Sequence, residues 1–338
     1  MENPRSKGCA NPAKPLKLLK KRNICTFYAR LVAQHAILSK TGLVIALLSP
    51  HNSAQGMLGS RQRRLGITPD TRRDVAMRKT MADYRNIQAR TSAGVRVDAG
   101  IDQGLRSYML KVYNMMGIGL AVTGLAALAI VYLATTNDPS LAAAQMSNGK
   151  MLTSFGVVFY TSPLKWVVML APLAAVFFLS FRIEKMSVPA AQATFWVYAA
   201  LVGLSLSTVF LVFTSGSIVQ TFFITAASFG ALSLYGYTTK RDLSGMGSFL
   251  FMGLIGILLA GLVNIFLQSS ALQFAISAIG VLVFAGLTAY DTQSIKEMYY
   301  EGDSSDTYGR KAIMGALRLY LDFINMFMFL LQFLGNRN

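Results

Sequence analysis

The sequence predicts an all-α integral membrane protein with seven transmembrane helices. Three observations carry this. Of the 338 residues, 53% are hydrophobic and only 14% are charged, against roughly 25% charged in an average soluble domain. From residue 107 onward the chain is a succession of long apolar runs separated by short polar turns. Lysine and arginine gather in every second turn, the signature of a polytopic protein oriented by its cytoplasmic charge.

Residues 1–80 stand apart. They hold 16 Lys/Arg and 3 Asp/Glu, so most of the net charge of +17 lies here. The best apolar stretch, Gly42 to Ser49, falls short of the roughly 20 residues a bilayer core of about 30 Å requires. It is also too late, behind too long a basic region, for a signal peptide. The segment reads as a basic, disordered extension, dispensable for insertion. Alternatively, Met81, opening MADYRNIQARTSAG, is the true first residue, or the basic arm lies on anionic lipid. Because the charge belongs to this extension and not to the body, no nucleic-acid partner is expected.

Residues 81–106 read as a polar cytoplasmic segment, and 107–338 as the seven-helix domain. The spans are expected near 108–134, 164–181, 193–212, 217–236, 248–267, 271–290 and 312–334. Gly, Ala, Ser and Thr recur within them, as in GLAVTGLAALA and SFGALSLYG. Small residues let helices approach closely where no hydrophobic force drives them together. Arg85, Arg90, Arg96, Arg106 and Lys111 precede the first span. Arg182 and Lys185 lie between the second and third, Lys240 and Arg241 between the fourth and fifth, and Lys296, Arg310 and Lys311 between the last two. The opposite turns carry only Lys150, Lys165 and the terminal Arg337. A cytoplasmic N-terminus and an external C-terminus follow. Six spans with a re-entrant last segment is the alternative.

Cys9, Cys25, His35 and His51 all fall within the extension, and the body has neither residue type. That excludes from the body a disulfide framework, thiol or imidazole catalysis, and common zinc sites. Hard-cation sites built from carboxylates and carbonyls stay open. HExxH, GxSxG and phosphate-loop patterns are missing, and no enzyme and no cofactor are expected.

Ionisable residues inside a span are functional candidates. The exceptions to an almost uncharged bundle cluster in the last two spans: Asp291 in AGLTAYDTQSIKEMY, and Arg318 and Asp322 in ALRLYLDFINMFMFLLQFLG. Asp322 lies 11 residues past Lys311, roughly 16 Å along a helix. Arg318 at i−4 shares its face and is a candidate salt-bridge partner, structural or functional. Asn325 at i+3 offers a supporting hydrogen bond. Asp291 is either a solvated helix end or, if the helix continues through Ile295, a buried partner of Asp322. Two facing carboxylates cannot both ionise cheaply, so such a pair shares a proton and titrates as a unit. Counted from Lys296 and Lys311, their depths differ by roughly two turns, so a tilt or a break in the last helix is required for them to meet.

AYDTQ closing one helix and LYLDFIN within a final apolar helix resemble the paired aspartate motifs of the Bax inhibitor-1 family, in its bacterial branch. SYMLKVYNMMGIGLAVTG resembles that family's first helix and VNIFLQSS the end of its fifth. The resemblance covers about 105–335 and is most specific over the last 70 residues. It implies a central seventh helix wrapped by six others and a pH-sensitive calcium leak in the bacterial inner membrane, gated by an aspartate pair that maps onto Asp291 and Asp322. Calcium ions would be the permeant species. Some members instead restrain an ATP-dependent membrane protease, a regulatory role that is the second reading. The family gate also includes an arginine in the second helix. Here that helix, LKWVVMLAPLAAVFFLSFR, has none inside it, so Lys165 or Arg182 reaches inward, Arg318 replaces the latch, or the gating differs. The acidic 6–7 turn, with Glu297, Glu301, Asp303 and Asp306, reads as a solvated loop.

Overall fold

The computed structural model describes the backbone of residues 74–146 and 148–338, with side chains described from residue 103. The expectations for the extension before residue 74 lie outside the described residues. Residues 74–80, assigned above to that extension, open a helix, as does the whole polar segment 81–106. No proline interrupts the 61 residues of α1 (Asp74–Ala134), and the polar segment runs into the first span without a break.

Six further helices cross: α2 (Leu164–Arg182), α3 (Val188–Leu206), α4 (Ser215–Thr238), α5 (Ser244–Leu267), α6 (Ser270–Glu297) and α7 (Ser305–Leu334). A short helix, Val209–Val212, prolongs α3. All seven are long and apolar enough to span, at the positions the apolar runs predict. The re-entrant alternative for the last segment gives way to a continuous helix of 30 residues. Hydroxyls open the helices where the turns end: Thr214, Ser269 and Ser304 accept the backbone N–H groups of Ser217, Leu272 and Thr307, satisfying donors that a helix leaves unpaired. The α5–α6 turn is tight because Gln268 adopts a left-handed conformation (φ 51°). Asn264 accepts the Ser269 N–H across that turn.

The 1–2 loop departs from helix. Two-residue strands β1 (Thr135–Thr136), β2 (Ala144–Gln145) and β3 (Met151–Leu152) form a small antiparallel sheet in the order β1-β3-β2. A short helix, Ser154–Thr161, follows it.

The bundle is built around α7. Of its apolar window 94% is buried, against 22–67% for the other six spans. It packs on α6, α1, α4 and α3. Because protein rather than lipid surrounds α7, it can hold polar and charged side chains that a lipid-facing helix could not. Small residues permit the close approach elsewhere. A Cβ at Gly203 of α3 would run into the Thr123 carbonyl of α1, and one at Gly236 of α4 into the Ala289 carbonyl of α6. Tyr320 of α7 is fully buried, and its hydroxyl lies 2.7 Å from Thr123 Oγ1, which itself donates to the Ala199 carbonyl. That contact joins α1, α3 and α7 through one hydroxyl pair.

Candidate functional site

The polar core lies between the C-terminal half of α6 and the middle of α7. Asp322 and Asn325 are fully buried and Asp291 is 4% exposed. The solvated-end reading of Asp291 is therefore corrected. The helix does not stop at Tyr290 but continues to Glu297, which carries Asp291 inside the bundle. Asp291, Asp322 and Asn325 are all engaged with neighbours, and Asn325 Nδ2 donates to the Leu321 carbonyl at 2.7 Å.

Side-chain contacts set the relative level of the two aspartates. Gly315 meets Ile295, Arg318 Nη1 donates to Ser294 Oγ at 3.4 Å, and Phe329 stacks on Phe284 at 5.7 Å between centroids and closes against Gly280. These contacts describe one antiparallel register. From the Arg318–Ser294 level, four residues deeper along α7 is Asp322, and three residues deeper along α6 is Asp291. At 1.5 Å per residue those steps are about 6 and 4.5 Å, so the aspartates share a level.

The expected depth mismatch of two turns is thus overturned, and no break in α7 is needed. The error lay in treating Lys296 and Lys311 as equally deep. Lys311 Nζ bonds the Met298 carbonyl at 3.0 Å and Asp303 at 2.6 Å, in the 6–7 turn. Lys296 lies deeper and donates to the Tyr237 carbonyl at the end of α4, at 2.9 Å.

Arg318 is half-buried one turn above Asp322 on the same helix and against Ser294, one turn above Asp291. The Tyr290 side chain is within electrostatic reach of both Asp291 and Arg318. The cations at the ends of α2 are placed differently. Arg182 is exposed, and Lys165, at the opposite end of the helix, stands 5.7 Å over the Trp166 ring. Of the three candidates for a cationic latch, Arg318 is the one beside the pair.

A layer of neutral polar groups surrounds the site that sequence reasoning passed over. Thr288 and Thr292 are fully buried and Gln293 nearly so. Tyr113 of α1, Ser233 of α4 and Thr292 form a chain of hydroxyl contacts of 2.6 and 2.9 Å, and Thr292 donates on to the Thr288 carbonyl. Gln293 ties the 4–5 turn to α6, accepting the Leu243 N–H and donating to the Arg241 carbonyl, both at 2.8 Å. The signal was present: Thr288, Asp291, Thr292 and Ile295 recur at the spacing of one helical face. Their polarity hid it, because a buried stripe is ordinarily recognised by apolar residues. Among the described residues no group of three or more His, Cys, Asp or Glu converges as a metal site would need.

Fold and site together define a seven-helix membrane protein whose charged core is shared by its last two helices. Residues 105–338 match the family model described as inhibitor of apoptosis-promoting Bax1, and the chain belongs to the Bax inhibitor-1 family. It is 47% identical over 236 residues to the inner membrane protein YbhL of Escherichia coli, covering 69% of this chain and 93% of that protein. It is 46% identical over 257 residues to an uncharacterized protein of Rickettsia prowazekii, covering 76% and 99% of the two chains. An uncharacterized protein of Caulobacter vibrioides is 43% identical over 256 residues, covering 75% and 98%.

Proposed function

We propose that the protein is a proton-controlled calcium leak of a bacterial inner membrane, with Asp291 and Asp322 as its gate and Arg318 as the latch. The observation that carries this is the burial of two carboxylates at one level of adjoining helices, in a core otherwise almost free of charge. Such a pair is costly to ionise fully, so protons and a divalent cation compete for the same oxygens. Calcium takes six to eight oxygen ligands, and two carboxylates supply only part of such a shell. An ion held by them keeps water, and weak holding is what passage requires. The inner-membrane location draws on the name of the YbhL relative, and the activity is passive, with no reaction catalysed and no cofactor.

The test is calcium flux into proteoliposomes between pH 6 and 8. Asp322→Asn, which keeps the size and a hydrogen bond but cannot titrate, is expected to abolish the pH dependence. Asp291→Asn is expected to weaken it at least tenfold, which is about 1.4 kcal/mol of gating energy. If both variants conduct with the pH profile of the parent, the pair is structural. Regulation of a membrane partner such as an ATP-dependent protease then becomes the better reading.

A further inference from the structure

A second polar feature lies outside the aspartate core, on the first span. A cavity of about 590 Å³ runs along one face of α1 and is closed on one side by Gln192 of α3. Its lining is graded. Arg106, Ser107, Leu110 and Lys111 line its first turns and Asn114, Met115 and Ile118 the following ones, so the charge is confined to one end, and among the described residues no carboxylate takes part. Both cations are exposed, and Lys111 Nζ also stands 5.0 Å over the Tyr308 ring at the start of α7.

We propose that this cavity binds one anionic phospholipid, its phosphate headgroup between Arg106 and Lys111 and an acyl chain along Met115 and Ile118. The position along the helix argues for lipid over a soluble anion. The apolar run of the first span opens near residue 108, so Arg106 and Lys111 flank its start, at headgroup level. Ile118 lies 12 residues past Arg106 and 7 past Lys111, roughly 18 and 10 Å along the helix, which brackets the roughly 15 Å of one leaflet. A free phosphate would use the charged end and leave the apolar length empty; a phospholipid occupies both. Basic pockets between spans are suited to anionic headgroups because the charge is met where the dielectric is falling. The volume lies within the roughly 300–1,000 Å³ of small-molecule sites.

The test uses the full chain in neutral detergent, with dioleoyl phosphatidylglycerol, dioleoyl phosphatidylcholine and inorganic phosphate as probes. Retained lipid is counted by native mass spectrometry, and folding is followed by thermal melting. The Arg106→Gln/Lys111→Gln variant is expected to retain at least fivefold less phosphatidylglycerol than the parent. Lys240→Gln/Arg241→Gln, which removes two exposed cations elsewhere, is expected to retain as much as the parent. Phosphatidylcholine is expected to be held weakly by all, and inorganic phosphate not to displace phosphatidylglycerol. Equal loss in both double variants means diffuse charge attraction and overturns the site. So does full retention by the first variant, and so does displacement by inorganic phosphate, which marks a free-anion site. Because Lys111 packs on Tyr308, Arg106→Gln alone is the second measurement should the double variant melt early. It is expected to lose at least half of the retained lipid, and no loss overturns the proposal.

Discussion

A carboxylate such as Asp322 is tolerable at the centre of a membrane protein only because of its neighbours. Transfer of an isolated ionised carboxyl into an apolar medium is prohibitive. Here a cation stands at i−4 and an amide at i+3, and α6, α1, α4 and α3 pack around the helix in place of lipid. Gln293 shows the same rule for a neutral group. Its amide satisfies the N–H of Leu243, which is buried at 4% exposure, and the carbonyl of Arg241, which is exposed. Water can replace the second contact but not the first. A buried N–H left unpaired costs about 1–3 kcal/mol, and each kcal/mol shifts the melting point by about 2–4 °C in a domain of 150–250 residues. Gln293→Leu is therefore expected to melt roughly 2–12 °C below the parent. Gln293→Glu, which keeps the acceptor, is expected to recover part of the loss. Equal melting of Gln293→Leu and the parent would show that the turn does not depend on this side chain.

Between helices, the determining quantity is distance of approach. Helices in lipid gain little from hydrophobic burial against each other, so they rely on close van der Waals packing. Gly236 lets α4 lie against the backbone of α6 at Ala289, two residues before Asp291. Any side chain there must push the helices apart, because the obstructing atom is a carbonyl that cannot rotate aside. Overpacking of this kind costs about 1–3 kcal/mol or more. Gly236→Val is expected to lower the melting temperature and to disturb the Ser233–Thr292 contact one turn away. Gly230→Val, on the same helix where a Cβ meets nothing within 4 Å, is expected to be neutral. Equal melting of the two variants would show that the approach is not tight.

At the scale of the molecule, α7 is the organising element. Its mean hydropathy of 1.5 equals that of α4 and is below the 2.0–2.5 of the others. A low value on the most deeply buried span is physically consistent, since that helix needs partners rather than lipid. The orientation we propose, with the N-terminus cytoplasmic, follows from the Arg182/Lys185, Lys240/Arg241 and Lys296/Arg310/Lys311 turns lying on one side. With seven crossings, alkaline phosphatase fused after Asn338 is expected to be active and a fluorescent protein at the same place dark. The reverse pattern would overturn the orientation.

The seven spans were legible in the sequence because bilayer thickness sets the length of an apolar run directly, but α6 ends seven residues later and α7 begins seven residues earlier than the apolar runs do. Membership in the Bax inhibitor-1 family was equally legible, because its aspartate motifs, AYDTQ and LYLDFIN, are local strings. The candidate residues Asp291, Asp322, Arg318 and Asn325 could be named from their incongruity in hydrocarbon. What only the tertiary structure decided was their level and company. Lys296 and Lys111 look alike in the sequence, yet one bonds the Tyr237 carbonyl at the end of α4 and the other stands over the Tyr308 ring of α7. Asp291, Thr292 and Gln293 read as the start of a loop until α7 and the 4–5 turn are seen to cover them. Depth and partner are properties of packing between helices distant in the chain. Periodicity within one helix states which residues share a face, and only the neighbouring helix determines what that face meets.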